Sequence, residues 1–471
     1  MQVKQRHMAS ALEFYASAFQ AENLYGLRMI ISWISVAVFI WLLSLSYLVW
    51  KADSKSNENR FMGVLLIIEG IKAAFLLPDA FPYDSDWEWL WNYLWVFKIE
   101  VFFYAHTAAI FMYLCLPIYY RIGKLSFMFN STLQKHAWYL APLIALAIWM
   151  SIRNVNGFYM ANSAWLICSG AGAEPSLQVW WGSVQPFMID TLDQIGTCTE
   201  YYETHLVDDS TAGGLWAIAL ASPLVTLGAL LFIRASMKSE KAAGGDGTSR
   251  HLTSRSLYIG FLGKVSGTML YFITLMVIIP LLNDGSMATF AQSTLWRYGE
   301  DASSLDRIKY LIWTLSLLMT PLAMGFEALM FVHAALNDSV FGIDQNLRKT
   351  FRTAMFTGTG ALLFITATEF MEQVLGQGLI GGVAVGVLFL GLRGPVLSVI
   401  DGMSSRLIPA NYTTEETAYL EAYKVAMDDF IITADERKML KIQAKTLGIS
   451  DQRVQELEQD YNSGIEATEE E

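Results

Sequence analysis

Apolar runs recur along this chain at the length a helix needs to cross a bilayer, and that recurrence leaves few folds open to it. Within hydrocarbon every backbone N–H and C=O must find a partner inside the chain, so a run of about 20 apolar residues has to be helical. Such runs fall near 26–50, 61–78, 89–119, 136–152, 213–235, 256–282, 308–335, 353–373 and 378–400. The first seven are separated by substantial loops, whereas the last two join through Gly376, Gln377 and Gly378 as a tight hairpin. The expected fold is an all-α integral membrane protein of about nine transmembrane helices, seven plus two. Composition agrees: 54% of residues are hydrophobic and 16% charged, a poor mixture for a soluble globule. The 15 Trp, 27 Phe and 21 Tyr suit rings that anchor helix ends in the headgroup region. The first run begins near Gly26 at full bilayer length, with no small-residue cleavage pattern behind it, so it is expected to stay in the membrane.

Orientation follows from the short loops, because Lys and Arg are retained on the cytoplasmic side. Lys51, Lys55 and Arg60 mark one connection; Arg121, Lys124 and Lys135 mark the next on that side. Arg234, Lys238, Lys241, Arg250 and Arg255 mark a third, and Arg348, Lys349 and Arg352 follow span seven. The alternate loops are acidic: Asp79, Asp84, Asp86 and Glu88 share one, and 153–212 holds seven acids against Arg153 alone. These charges place the N-terminus outside and the C-terminus in the cytoplasm, in the plasma (cytoplasmic) membrane. The expected organisation is an extracytoplasmic segment 1–25, a seven-helix bundle 26–335 with the long outer loop 153–212, a hairpin and juxtamembrane exit 336–401, and an acidic cytoplasmic tail 402–471. A net charge of −12 makes nucleic acid an unsuitable partner, and the lipid bilayer is the first partner implied.

Ionisable residues inside spans are costly and face a protein interior or a water-filled cavity. Here they are Glu69, Lys72, Lys98, Glu100, His106, Lys264, Glu327, His333 and Glu369. Counted from the span ends, Lys264 and Glu327 sit at equal depth on spans six and seven, and Glu69 and Lys98 match on spans two and three. Two helix-pair ion bridges are therefore expected, Glu69–Lys98 and Lys264–Glu327, with Lys72, Glu100 and His106 lining a polar cavity. Static pairs that fix packing and a proton or transport path both remain open. Pro321, six residues before Glu327, can kink span seven. His106 and His333 lie at different depths, which disfavours paired axial ligands and leaves each as a hydrogen-bonded histidine. Span seven has no lysine at its middle, which argues against a retinal-type chromophore site.

The outer loop carries Cys168 and Cys198, a candidate disulfide if that side is oxidising. Beside Cys198, Glu200, Glu203, His205, Asp208 and Asp209 bring carboxylates and an imidazole within ten residues. Zinc takes His with Asp or Glu, and hard cations take carboxylate oxygens, so this stretch is a candidate outer metal or ligand site. A solvated acidic loop explains the same residues. With Trp87, Trp89, Trp91, Trp165, Trp180 and Trp181, the acids could also bind a small cationic ligand through ring faces and charge. No Walker glycine loop, His-Glu-x-x-His or Gly-x-Ser-x-Gly elbow is present, so no catalytic residue and no cofactor are expected. The letters Gly263-Lys-Val-Ser-Gly267 resemble a phosphate loop, but they lie inside a span.

The tail reads as three short helices. Thr413 with Glu416 and Thr433 with Glu436 both have capping-box spacing, and Ser450-Asp451 opens a third helix after the stop at Gly448. Leu420, Tyr423, Met427, Phe430, Ile432, Met439, Leu440, Leu447, Ile449, Val454 and Leu457 are its core candidates. The stretch Tyr423–Leu457 is similar to the helical repeat of tellurite-resistance TerB-like domains. The run Leu392-Arg393-Gly-Pro395 through Ile400-Asp401 to Arg406 resembles the juxtamembrane exit of prokaryotic sensor histidine kinases with multi-helix membrane inputs. These resemblances imply an input module whose motion reaches a helical adaptor. The last histidine is His333 and no ATP-binding glycine box follows it, so no kinase domain is present in this chain. The expected function is a receptor-like or sensor-like membrane protein whose tail engages a cytoplasmic protein. A transporter or channel using the intramembrane charges is the alternative, and a structural membrane subunit a third.

Overall fold

The computed structural model describes residues 25–81, 88–120, 127–128, 130–152, 162–181, 186–208, 213–242, 249–282, 304–336, short stretches between 349 and 368, 378–407, 414–427, 432–455 and 457–458. The apolar runs form α1 (Tyr25–Ala52), α2 (Asn57–Ala73), α3 (Glu88–Tyr119) and α4 (Ser131–Ile152). After an insert come α6 (Gly213–Ala242), α7 (Ser249–Ile273) and α8 (Ser304–Leu336). A 3₁₀ segment, Ala74–Ala80, extends α2, and α7 runs through a π-helical stretch, Thr274–Ile278, into Ile279–Leu282. Among the described residues five helices are long and apolar enough to cross a membrane, six if a bent pair near residue 392 counts as one. Large apolar side chains such as Leu114, Leu143, Leu231 and Val387 face outward, which suits lipid and not water.

The described chain divides into two compact units. The first draws on Met1–Tyr47, Gly63–Ser236 and Phe261–Ala328. Within it, α1 and α2 meet where Ser46 Oγ donates to the Gly63 carbonyl at 2.8 Å and where Gly70 receives Leu42 and Phe39. Ser35 also donates to the Ala73 carbonyl. Helices α3 and α4 form an antiparallel pair, joined by Tyr104 to the Pro142 carbonyl at 3.1 Å and Tyr119 to the Gln134 carbonyl at 2.9 Å. On α8, Gly325 receives Trp41 of α1. Gly263 and Gly267 of α7 receive Phe326 and Ala323 of α8, and a Cβ on Gly267 would stand 2.6 Å from that of Ala323. Small residues at this spacing let two helix backbones approach closely. The phosphate-loop letters are thus a packing face.

The stretch between α4 and α6 departs from an all-helical fold. It folds as a three-stranded antiparallel sheet of order β2-β1-β3: β1 is Asn162–Ser169, β2 is Ser176–Trp181 and β3 is Tyr201–Asp208. A short helix, α5 (Pro186–Ile195), joins β2 to β3. Cys168 and Cys198 form a disulfide that fastens the end of β1 to the residues leading into β3. Around it Gly172 N–H donates to the Cys198 carbonyl at 2.7 Å, and Cys198 N–H to the Ala173 carbonyl at 2.9 Å.

The second unit draws on Leu48–Met62, Met237–Gly260 and Leu329–Glu471. In it Ser256 and His333 share a buried hydrogen bond of 2.7 Å, and Gly260 receives Met330 and Phe331. The run expected as one span, 378–400, is broken: α9 (Gly378–Gly391) and α10 (Arg393–Leu407) meet at a bend of 66°. Pro395 has no N–H to offer the Gly391 carbonyl, and the flanking glycines resist bending weakly, so the ladder parts there. Arg352 pairs with Asp401 of α10 at 3.4 Å, on the solvent-exposed side.

The tail builds α11 (Thr414–Ala426) and α12 (Ala434–Thr446), with a third helical stretch from Asp451. The Thr433–Glu436 capping box is formed: each side chain bonds the other's backbone N–H. Those bonds hold the Glu436 carboxyl below the ordinary carboxylate value. Gly448, at φ +73°, ends α12 in the left-handed region, and Ser450 Oγ caps the next turn from Arg453 N–H at 3.3 Å. Thr413 and Phe430 lie outside the described residues. Tyr419, Leu420, Tyr423, Ala426, Leu440, Ala444 and Leu457 form the core, with Met427, Ile432, Leu447, Ile449 and Val454 around it. Met439, expected inside, is 71% exposed. Glu458 closes the unit, accepting from Tyr419 at 2.5 Å and, on both carboxylate oxygens, from Arg437 Nη1 at 2.7 Å. Burial, with Glu458 beside it, pushes the Tyr419 hydroxyl's pKa up.

Candidate functional site

Four helices of the first unit converge on a buried polar network. Helix α2 supplies Glu69 and Lys72, one turn apart; α3 supplies Tyr113, α7 Lys264 and α8 Glu327. All five are buried, with 0–4% of each residue exposed. Lys264 Nζ donates to Glu69 Oε2 at 2.7 Å, to Glu327 Oε2 at 2.8 Å, and to the Tyr113 hydroxyl. Its three N–H bonds are thereby used. Lys72 Nζ reaches both oxygens of Glu69, at 3.1 and 3.2 Å. Tyr113 OH lies 2.6 Å from Glu69 Oε1 and 3.0 Å from Glu327 Oε1. Its ring meets Phe261 edge-on at 5.3 Å between centroids, and Lys264 Nζ stands 4.6 Å from the ring centre.

Breaking one partner out of a buried pair leaves an uncompensated charge, whereas a fully bonded set is self-sufficient. Here every carboxylate oxygen lies within 3.2 Å of a lysine nitrogen or the Tyr113 hydroxyl. The four formal charges, two lysines and two glutamates, can cancel within the set. The local causes are plain in the sequence. Glu69 and Lys72 share a helix face at i,i+3, and Gly263 and Gly267 let α7 close on α8 so that Lys264 meets Glu327.

Lys264 meets Glu327, the pair expected, but it also meets Glu69, and Lys72, expected to line a cavity, pairs with Glu69 instead, so the charges form one network and not two separate bridges. Among the described residues the partners of the Glu69 carboxylate are Lys72, Lys264 and Tyr113. The side chain of Lys98 lies outside the described residues. Glu100 is half-buried on α3. His106 differs from expectation. Both its ring nitrogens are buried without a hydrogen-bond partner, and its ring packs edge-on against Phe102 at 4.4 Å. Leaving such a group unbonded costs about 1–3 kcal/mol. His333 has the bonded state expected of it, on Ser256.

In the insert between α4 and α6, Glu200 is exposed, and Glu203, His205 and Asp208 belong to β3 as backbone. Their side chains and Asp209 lie outside what is described. Among the described residues no group of three His, Cys, Asp or Glu side chains is placed to hold a metal ion. Tyr113 is the functional residue that sequence reasoning missed. A single tyrosine in an aromatic-rich span looks like interface anchoring, and the one available signal was its depth, seven residues below His106 on the same face of α3.

With this geometry in hand, comparison with family models, characterised proteins and solved structures gives no match for the chain.

Proposed function

We propose that this protein is a receptor-like membrane protein of nine spans, with its N-terminus outside and its tail in the cytoplasm of a plasma membrane. An extracytoplasmic signal is carried through the bundle to the helical tail, which recruits a cytoplasmic protein. The observation that carries this reading is the tail itself: it has its own core, caps and closing ion pairs, and it follows a last span broken by 66°. The Lys- and Arg-rich loops support the orientation. The Cys168–Cys198 disulfide supports an oxidising compartment for the outer insert. Helices Ser131–Ile152 and Gly213–Ala242 supply two spans beyond the most apolar set, and 353–373 the remaining one.

Exposed apolar residues on the tail, Val425, Met439 and Ile442, offer sites for the test. Photo-crosslinkers placed singly at these positions in living cells should each give a discrete protein adduct, dependent on α11 and α12 staying folded. Absence of adducts at all three, in full-length protein that reaches the membrane, counts against recruitment.

Transport is a second reading, favoured by ionisable groups gathered at the bundle's centre and by the unbonded His106. Ion or proton flux in liposomes carrying the purified chain, abolished by His106→Phe, would replace the receptor reading with this one.

A further inference from the structure

The hydrogens around Tyr113 do not suffice for the contacts it makes. Lys264 Nζ has only hydrogens to give, so the Tyr113 oxygen accepts from it. The tyrosine's own proton goes to Glu69 Oε1, the nearer carboxylate oxygen at 2.6 Å. The contact with Glu327 Oε1 at 3.0 Å then joins two oxygens with no hydrogen left between them, unless Glu327 brings one. A phenol oxygen has two lone pairs, one occupied by Lys264, and the second points to a donor on Glu327. We infer that the network is a proton-binding site, and that its exchangeable proton resides on Glu327 Oε1, donated to the Tyr113 oxygen.

Charge can still balance in this state. Lys264 contacts its two carboxylate oxygens at 2.7 and 2.8 Å, the range of charge-assisted bonds, so Lys264 and Glu69 form the ionic centre. Lys72 shares its Nζ between both oxygens of the same Glu69 carboxylate at 3.1 and 3.2 Å, contacts that an uncharged amine, with two hydrogens to give, can also make. The groups facing Glu327 are few on every side. Helix α2 brings Glu69 and Lys72, α3 Tyr113 with His106 in electrostatic reach of the same set, and α7 Lys264. Helix α1 brings the uncharged Val38 and Trp41 against Gly325. Loss of the proton leaves Glu327 Oε1 and the Tyr113 oxygen facing one another with no hydrogen, which loosens the bond between α8 and α3. The ligand of this site is a proton, and taking it up or giving it off alters a helix-to-helix contact.

Infrared spectroscopy of the full-length protein in lipid nanodiscs tests the assignment. At neutral pH the wild type should show a protonated-carboxyl C=O band that Glu327→Gln removes and Glu69→Gln leaves. Tyr113→Phe should keep the band and move it to higher frequency, since a hydrogen-bond acceptor has been lost. Glutamine keeps both contacts of a neutral Glu327, its amide N–H toward Tyr113 and its oxygen toward Lys264. Glu327→Gln should therefore fold with an unchanged melting temperature, while Glu69→Gln, which deprives Lys264 of its anion, should melt clearly lower. A wild-type minus Glu327→Gln spectrum containing only ionised-carboxylate bands overturns the proposal. So does a Glu327→Gln protein that fails to fold, because the isostere of a neutral acid should be accepted.

Discussion

Lys264 donates to three different groups on three helices, whereas Lys72 donates to one carboxylate on its own helix. The two buried lysines are therefore not equivalent. Lys264→Met strips donors from Glu69, Glu327 and Tyr113 together, and the expected loss is about 3–5 kcal/mol, as for breaking a buried pair. Lys72→Met leaves Glu69 with Lys264 and Tyr113, and should cost roughly half as much or less. Thermal unfolding of the two variants in matched micelles measures the difference. Equal losses, or a greater loss for Lys72→Met, would mean that the network is not centred on Lys264. The charged members were legible because ionisable residues stand out in an apolar run. The pairing was only partly legible, since depth matching uses one dimension and cannot tell which face of a helix turns inward. Matching depths between helices also passes over Lys72, which reaches Glu69 from one turn away on the same helix.

At the scale of elements, the approach of α7 to α8 depends on Gly267, where an added Cβ would stand 2.6 Å from the Ala323 Cβ. Neither atom can swing aside, so the helices must separate, and Gly267→Ala should destabilise by about 1–3 kcal/mol despite alanine's better helix propensity. Gly228 on α6 has nothing within 4 Å of such a Cβ, and Gly228→Ala should be neutral or stabilise by up to about 1 kcal/mol. Opposite signs in the two melting shifts are the expected result; two stabilising substitutions would remove the close approach as the reason Lys264 meets Glu327. Elements with local chemistry were readable: the Thr433–Glu436 cap and the Gly448 stop follow from neighbouring residues alone. Elements set by competition were not. The break at Leu392 lies within a continuous apolar run, and hydropathy does not register that Pro395 withholds an N–H. The π-helical Thr274–Ile278 has no composition signal of its own. The sheet in the insert was hidden because its strands, Asn162–Ser169 and Tyr201–Asp208, sit in a stretch read for its charge, and the pairing of residues about 40 apart leaves no local signal.

For the whole molecule, sidedness and the redox state of the insert are one question. Seven acids against Arg153 in 153–212 argue for the outside, and a disulfide closing a loop of 30 residues adds about 3–4 kcal/mol only where thiols oxidise. The proposal puts the tail, with its exposed Lys438 on α12, on the other side, because Arg348, Lys349 and Arg352 follow span seven and the last hairpin returns to that face. In intact cells a membrane-impermeant reductant followed by an impermeant maleimide should label Cys168 and Cys198, and labelling should require the reductant. A Lys438→Cys protein should gain label at residue 438 only after the membrane is permeabilised. Cys115, half-buried within α3, supplies the background to subtract, and Cys115→Ala removes it. Label at residue 438 in intact cells would put insert and tail on the same side, an even number of crossings apart. Counting from the insert, the helix Gly213–Ala242, α7, α8, the 353–373 run and the broken α9–α10 span give five crossings, an odd number. Same-side labelling therefore removes one of those five, and the α9–α10 pair, bent by 66°, is the one whose geometry also fits a re-entrant loop.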